Sequence, residues 1–153
     1  MKDYVKEAAD SIRYMAEDIV TKHRIELAAR TRGIPVDDFE WEPCGYSGLT
    51  LTLQDIEREE FRTTVTKVAA VLGPPEIETG KASYVDRFQV TATWKGVLDG
   101  EHGKLNVTIV AQPKDCKLAE VEEVLPAMPE RTVKVLKPHP ECVEAIRQLE
   151  EAL

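Results

Sequence analysis

The chain has no long hydrophobic run and no closely spaced cysteine pair. No apolar stretch approaches the roughly 18–20 residues that a membrane-spanning helix requires. The charged segment at 1–7 lacks the apolar core of a signal peptide. With only 3 cysteines, the chain also differs from the disulfide-rich scaffolds of small secreted domains. These absences exclude membrane and secreted-knot classes, and we expect a cytoplasmic protein with no membrane partner.

The composition is that of an ordinary globular protein. Its 153 residues are 42% hydrophobic and 31% charged, and they are enough for one domain that buries a core without a metal or a disulfide.

Basic residues are few and scattered. The formal net charge is −8, and residues 31–60 carry eight acidic against two basic side chains. Nonspecific nucleic-acid binding needs clustered Lys and Arg that displace counterions from phosphates. We therefore expect no generic nucleic-acid binding, and we interpret the acidic block as a solvated surface, with a basic partner as the alternative.

The first thirty residues predict one long helix. Apolar residues alternate three and four apart, which places them on one helix face. The members of this stripe are Val5, Ala8, Ile12, Met15 and Ile19. Gly33, followed by Pro35, predicts the helix end. The stripe either packs on its own domain or forms a homo-oligomer through this helix.

The rest of the chain predicts strands between two further helices. Strands are expected over 49–53, 84–95, 105–111 and 131–136, and helices over 55–72 and 140–153. The apolar stretch 118–125 fits a strand or a helix, and we choose a strand. We expect an α+β fold with all three helices on one face of a mostly antiparallel sheet of about five strands. The predicted organisation is an N-terminal helix over 1–32, an oligomerisation element in one interpretation, and an α+β domain over 46–153, in one compact domain overall.

The cysteines offer one candidate metal set. An odd count and the missing signal peptide favour reduced thiols at Cys44, Cys116 and Cys142. His139 and Cys142 form a His-x-x-Cys pair that, with Cys116 and possibly Cys44, provides zinc-ligand chemistry. A Cys116–Cys142 disulfide is the other alternative. Structural zinc sites are built from two tight pairs and only one exists here, so we predict no metal and no cofactor.

Catalytic signatures are absent. The chain has no G-x-S-x-G motif and no P-loop, and the sequence does not bring His23 or His102 to a nucleophile. We therefore expect a protein that is not an enzyme.

One strand face is rich in hydrogen-bonding side chains. Arg87, Gln89, Thr91, Thr93 and Lys95 alternate with apolar residues. Antiparallel sheets commonly leave such a face to solvent. The functional alternative is recognition of a protein partner, or of a small anionic ligand held by Arg87 and Lys95.

The order of features in the C-terminal two thirds resembles a group of small uncharacterised proteins of actinobacterial phages and prophages. The segments that carry the resemblance are Leu72-Gly73, Phe88 to Trp94, Leu105 to Cys116, Val121 to Val124, Arg131 to Leu136, and Glu141-Cys142. The resemblance implies a phage-encoded protein of the host cytoplasm and transfers no residue roles.

We therefore expect a non-enzymatic phage-type accessory protein that binds a host protein or a small anionic ligand. A minor virion or assembly component and a small cytosolic enzyme of unknown reaction are the alternatives.

Overall fold

A computed structural model describes residues 3–125 and 128–153 of the chain. The elements are α1 (Tyr4–Arg32), β1 (Trp41–Cys44), β2 (Gly48–Ile56), α2 (Arg58–Leu72), β3 (Glu76–Lys81), β4 (Phe88–Gly100), β5 (Gly103–Pro113), β6 (Leu118–Leu125), β7 (Met128–Pro138) and α3 (Pro140–Ala152). The predicted α+β class with a mostly antiparallel sheet is confirmed.

Five strands form one sheet in the order β1-β2-β5-β4-β3. The β1–β2 and β3–β4 pairs are antiparallel, with Trp41 opposite Leu51 and Thr79 opposite Val90. Strands β6 and β7 pair separately as an antiparallel ribbon. The predicted period-two alternation is present in β4, where Phe88, Val90, Ala92 and Trp94 are buried and the residues between them are partly exposed.

The chain divides into two compact units, and the first consists of residues 1–51 and 95–108. Its buried side chains are Ile25, Ala29, Ile34, Leu49, Leu51, Leu98 and Val107. Helix α1 ends as predicted, because Gly33 adopts the left-handed conformation (φ 86°) that caps it. Arg30 then forms a bidentate ion pair with Asp37, at 2.5 and 2.6 Å, which fixes the chain just after the helix.

Gly48 marks a close backbone approach inside this first unit. Its φ is 113°, and a Cβ atom built on it would lie 2.0 Å from the carbonyl oxygen of Asn106 on β5. The position therefore requires glycine both for its conformation and for space.

The second unit consists of residues 52–94 and 109–153. Its buried side chains come from α2, α3, the strands and the adjoining loops, and they include Phe61, Thr64, Val65, Val68, Ala82, Phe88, Val90, Ala92, Trp94, Ile109, Ala111, Cys116, Cys142, Ile146 and Leu149. The indole N–H of Trp94 donates to the carbonyl of Gly73 at 2.7 Å, which ties β4 to the end of α2. Whether the whole chain forms one compact domain stays a prediction.

Several predicted boundaries are wrong. The sequence predicts no strand over 41–44 or 76–81, where the structure has β1 and β3. The stretch from Gln54 to Ile56 continues β2, so α2 begins at Arg58. Tyr84, which the sequence places in the strand expected over 84–95, is 99% exposed in the loop before β4.

The start of α2 has a physical explanation. Glu57 makes no side-chain cap, and the carboxylate of Asp115 instead accepts a hydrogen bond from the N–H of Arg58 at 2.8 Å. Because this cap comes from a residue far along the chain, the local sequence could not reveal it.

Candidate functional site

The apolar stripe of α1 (Val5, Ala8, Ile12, Met15 and Ile19) lies on the exposed part of the helix. From Tyr4 to Val20 every side chain except Asp10 is exposed. The four large members of the stripe are 65–80% exposed. A row of this kind is unusual for a surface helix, which normally turns its apolar side toward a core.

The face of α1 that packs inside the first unit is a different one. Ile25 and Ala29 are 3% and 0% exposed. A helix turns about 100° per residue, which places them roughly a quarter of a turn from the stripe. The packed face thus accounts for the end of α1 and leaves the stripe uncovered among the described residues.

The structure does not bring the predicted anion ligands Arg87 and Lys95 together. They are eight residues apart, on and just before one extended strand, which corresponds to about 26 Å of chain at about 3.3 Å per residue. This distance exceeds what two side chains can span around one small anion. Arg87 is instead paired with Asp55 at 3.1 Å.

Arg87 borders a cleft of about 410 Å³ in the second unit, here called the disulfide cleft. Its walls are formed by Asp55, Asp86, Arg87, Phe88, Gln112, Pro113, Lys114, Cys116, Lys117, Leu118 and Leu136. Asp55 has a φ of 53°, a left-handed conformation that Asp tolerates better than most residues. Glu57 accepts a hydrogen bond from Lys114 and raises the pKa of that ammonium group.

The candidate zinc ligands have other partners. Cys116 and Cys142 form a disulfide with a Cα–Cα distance of 5.9 Å, so the expectation of reduced thiols is wrong for this pair. The Nδ1 atom of His139 accepts a hydrogen bond from the N–H of Glu141 and thereby caps α3. Residues 3–125 and 128–153 contain no group of three or more metal-binding side chains.

Cys44 is the free cysteine. It lies at the end of β1 and is partly exposed. Hydrogen bonding by the Ser47 side chain, together with backbone hydrogen bonds from Tyr46 and Ser47, lowers the pKa of its thiol. His23 and His102 are both exposed, on α1 and at the β4–β5 turn respectively.

Sequence reasoning missed the residues around the disulfide. Lys114 and Lys117 flank Cys116 along the chain, a signal that was available. Arg58, whose Nη1 lies 3.7 Å from the sulfur of Cys142, is 84 residues from it in sequence and gave no signal.

Comparison with known proteins assigns no relative: no family model, no curated protein and no solved structure matches this chain. In the part of the chain that the structure describes, no helix combines the length and the apolar character needed to cross a membrane.

Proposed function

We propose that this chain is a non-enzymatic binding protein that assembles with a second copy of itself through the stripe of α1. The observation that carries the proposal is the exposure of Val5, Ile12, Met15 and Ile19, each at least 65% accessible on one helix face. Contiguous apolar surface of this kind is typical of protein interaction sites.

Spacing supports a partner helix rather than a flat partner. The stripe repeats at the a and d positions of two heptads, the pattern that places knobs into holes of a facing helix. In an antiparallel arrangement, Ile12 lies opposite the partner's Met15, and Ala8 lies opposite the partner's Ile19. In the second of these layers, the small side chain of Ala8 leaves space for the partner's Ile19.

Charge favours the antiparallel arrangement. A parallel pair would place Lys22, at the next d position, beside its own copy. In the antiparallel pair Lys22 lies opposite the partner's Val5, within one turn of the partner's Asp3 and the partner's Glu7. Like charges across an interface are unfavourable and opposite charges favour specific pairing.

The charge difference between the two halves of α1 also favours the antiparallel pair. Residues 3–18 carry five acidic and two basic side chains, and residues 19–32 carry four basic and one acidic. This polarity matches the helix dipole of one chain, and it also brings opposite charges together when two copies run in opposite directions. The packed segment around Ile25 and Ala29 lies outside the overlap, so that pairing leaves it undisturbed.

In the same proposal the assembled protein acts as a phage-type accessory factor that binds a host protein in the host cytoplasm. The resemblance of residues from about 49 to 142 to phage and prophage proteins supports the phage origin and the host-cytoplasm setting, and it says nothing of the partner. A virion or assembly component would form extended assemblies, because its contacts do not close. The antiparallel pair is self-complementary and therefore closes at two copies.

The test uses disulfide cross-linking in a Cys44→Ser background. Chains carrying Ala8→Cys are mixed with chains carrying Ile19→Cys and oxidised under air. The antiparallel register predicts cross-linked dimers in the mixture and few with either variant alone. Self-cross-linking of the Ala8→Cys chains would indicate a parallel pair, and absence of any cross-link, with a monomer in sedimentation equilibrium, would refute the assembly.

A further inference from the structure

The Cys116–Cys142 disulfide joins two different environments in the second unit. Cys116 belongs to the short connection between β5 and β6, and Cys142 is the third residue of α3. Both residues are 5% exposed. Cys116 forms part of the wall of the disulfide cleft, whereas Cys142 does not.

The sulfur of Cys142 lies beside a guanidinium group and, at 3.9 Å, the backbone carbonyl oxygen of Asp115. The guanidinium Nη1 of Arg58 is 3.7 Å from the sulfur. The first turn of α3 adds the positive end of a helix dipole, and both features lower the basicity of a cysteine sulfur. Cys142 is therefore the better leaving group of the two sulfurs, because exchange is faster when the departing thiol has the lower pKa.

The wall of the cleft contains a cation with no carboxylate partner among the described residues. Arg87 is paired with Asp55, and Lys114 with Glu57. Lys117 is exposed, and within residues 3–125 and 128–153 it forms no ion pair. Its ammonium group can therefore attract an anion to the part of the cleft wall that Cys116, its neighbour in the sequence, also forms.

We propose that the disulfide cleft is a thiol-exchange site for a small anionic thiol, with Cys116 as the sulfur that is attacked. The incoming thiolate forms a bond to Cys116 Sγ, the bond between Cys116 and Cys142 breaks, and its electron pair leaves on Cys142 Sγ. Arg58 is a positioning residue that stabilises the departing thiolate. A second thiolate then attacks the mixed disulfide, which yields an oxidised small-molecule dimer and leaves both cysteines reduced.

The probe for the test is reduced glutathione, with 2-mercaptoethanol as the neutral comparison. The full chain carries Cys44→Ser, so that only the disulfide reacts. After quenching with acid, peptide mass spectrometry locates the adduct, and stopped reactions give the rate. We expect the glutathione adduct on Cys116. An adduct found mainly on Cys142 overturns the proposal, as does a folded protein that reacts with neither thiol.

Two charge variants separate docking from leaving-group stabilisation. Lys117→Gln is expected to slow the reaction with glutathione several-fold and to leave the rate with 2-mercaptoethanol unchanged. Lys134→Gln removes an exposed lysine outside the cleft wall and is expected to change neither rate. Equal effects of the two variants overturn the anion-docking argument.

Arg58→Gln is expected to slow the reactions with both thiols about tenfold, since the charge that Arg58 stabilises is on the departing Cys142 sulfur and not on the incoming thiol. Arg58→Lys retains the positive charge and is expected to restore most of the rate. If Arg58→Gln fails to fold, the Arg58→Lys and Lys117→Gln rates still decide between the outcomes. An unchanged rate in folded Arg58→Gln contradicts the role of Cys142 as leaving group.

Discussion

Replacing two isoleucines of the α1 stripe with aspartate tests the proposed assembly most directly. Ile12 and Ile19 are 67% and 65% exposed in the single chain, so a dimer interface has most of their surface left to bury. Full burial of an isoleucine contributes roughly 1.5–3 kcal/mol, and the exposed two thirds therefore contributes about 1–2 kcal/mol.

The effect on association is large because each dimer contains every residue twice. Four isoleucines together contribute roughly 4–8 kcal/mol, and each factor of ten in Kd corresponds to about 1.4 kcal/mol. Ile12→Asp with Ile19→Asp is therefore expected to weaken the dimer at least about 10³-fold, before the cost of burying the carboxylates is included. The fold of each chain should change by no more than about 0.5 kcal/mol, because both positions lie on its surface.

The assay is sedimentation velocity over a dilution series, with thermal unfolding to confirm that the variant folds. Tyr14→Asp is the matched control, because Tyr14 is also 65% exposed but lies well away from the stripe around the helix. The control should dimerise like the parent chain. A parent chain that is monomeric at roughly 100 μM, where even a weak interface is populated, refutes the reasoning. Equal loss of dimer in both variants refutes the assignment to this face.

Three further predictions concern single sites. Gly48→Ala should lower the free energy of unfolding, measured by urea titration, by about 2–4 kcal/mol, because it adds backbone strain and a clash with β5. Gly80→Ala, at a position with open space around it, should have little effect in the same measurement. Alkylation of Cys44 by iodoacetamide should reach half its maximal rate at a pH below that of an unperturbed thiol, because a lowered pKa yields thiolate at lower pH. Ser47→Ala should move that midpoint upward, and an unmoved midpoint contradicts the hydrogen-bond explanation. Asp115→Ala should lower the free energy of unfolding by about 0.5–2 kcal/mol, since it removes the side-chain cap of α2. Thermal unfolding of both proteins at the same pH measures this change.

The strongest signals in the sequence were regular hydrophobic periodicity and the residues that mark helix ends. The three-and-four spacing predicted α1, and Gly33 ended it where the structure does. The alternation of apolar and polar residues predicted β4 and β5, and Pro140 marked the first residue of α3. These features are local, because helix and strand periods are set by the backbone of neighbouring residues.

The sequence did not reveal elements whose stability comes from distant partners. β1 contains a proline and has only four residues, so its pairing with β2 decides that it is a strand. β3 is a short edge strand without a clear apolar alternation, and its pairing with β4 makes it a strand. The start of α2 depends on Asp115, which is close in space and far in sequence.

The candidate sites divide in the same way. The sequence alone showed an apolar stripe on α1, but a stripe has the same period whether it packs on its own domain or on a partner. Only the tertiary structure showed that Ile25 and Ala29 face the interior while Ile12 and Ile19 face solvent. Likewise, composition favoured reduced cysteines, and only folding brought Cys116 and Cys142 to a Cα–Cα distance of 5.9 Å beside Arg58, because contacts across dozens of residues are set by chain packing and not by local pattern.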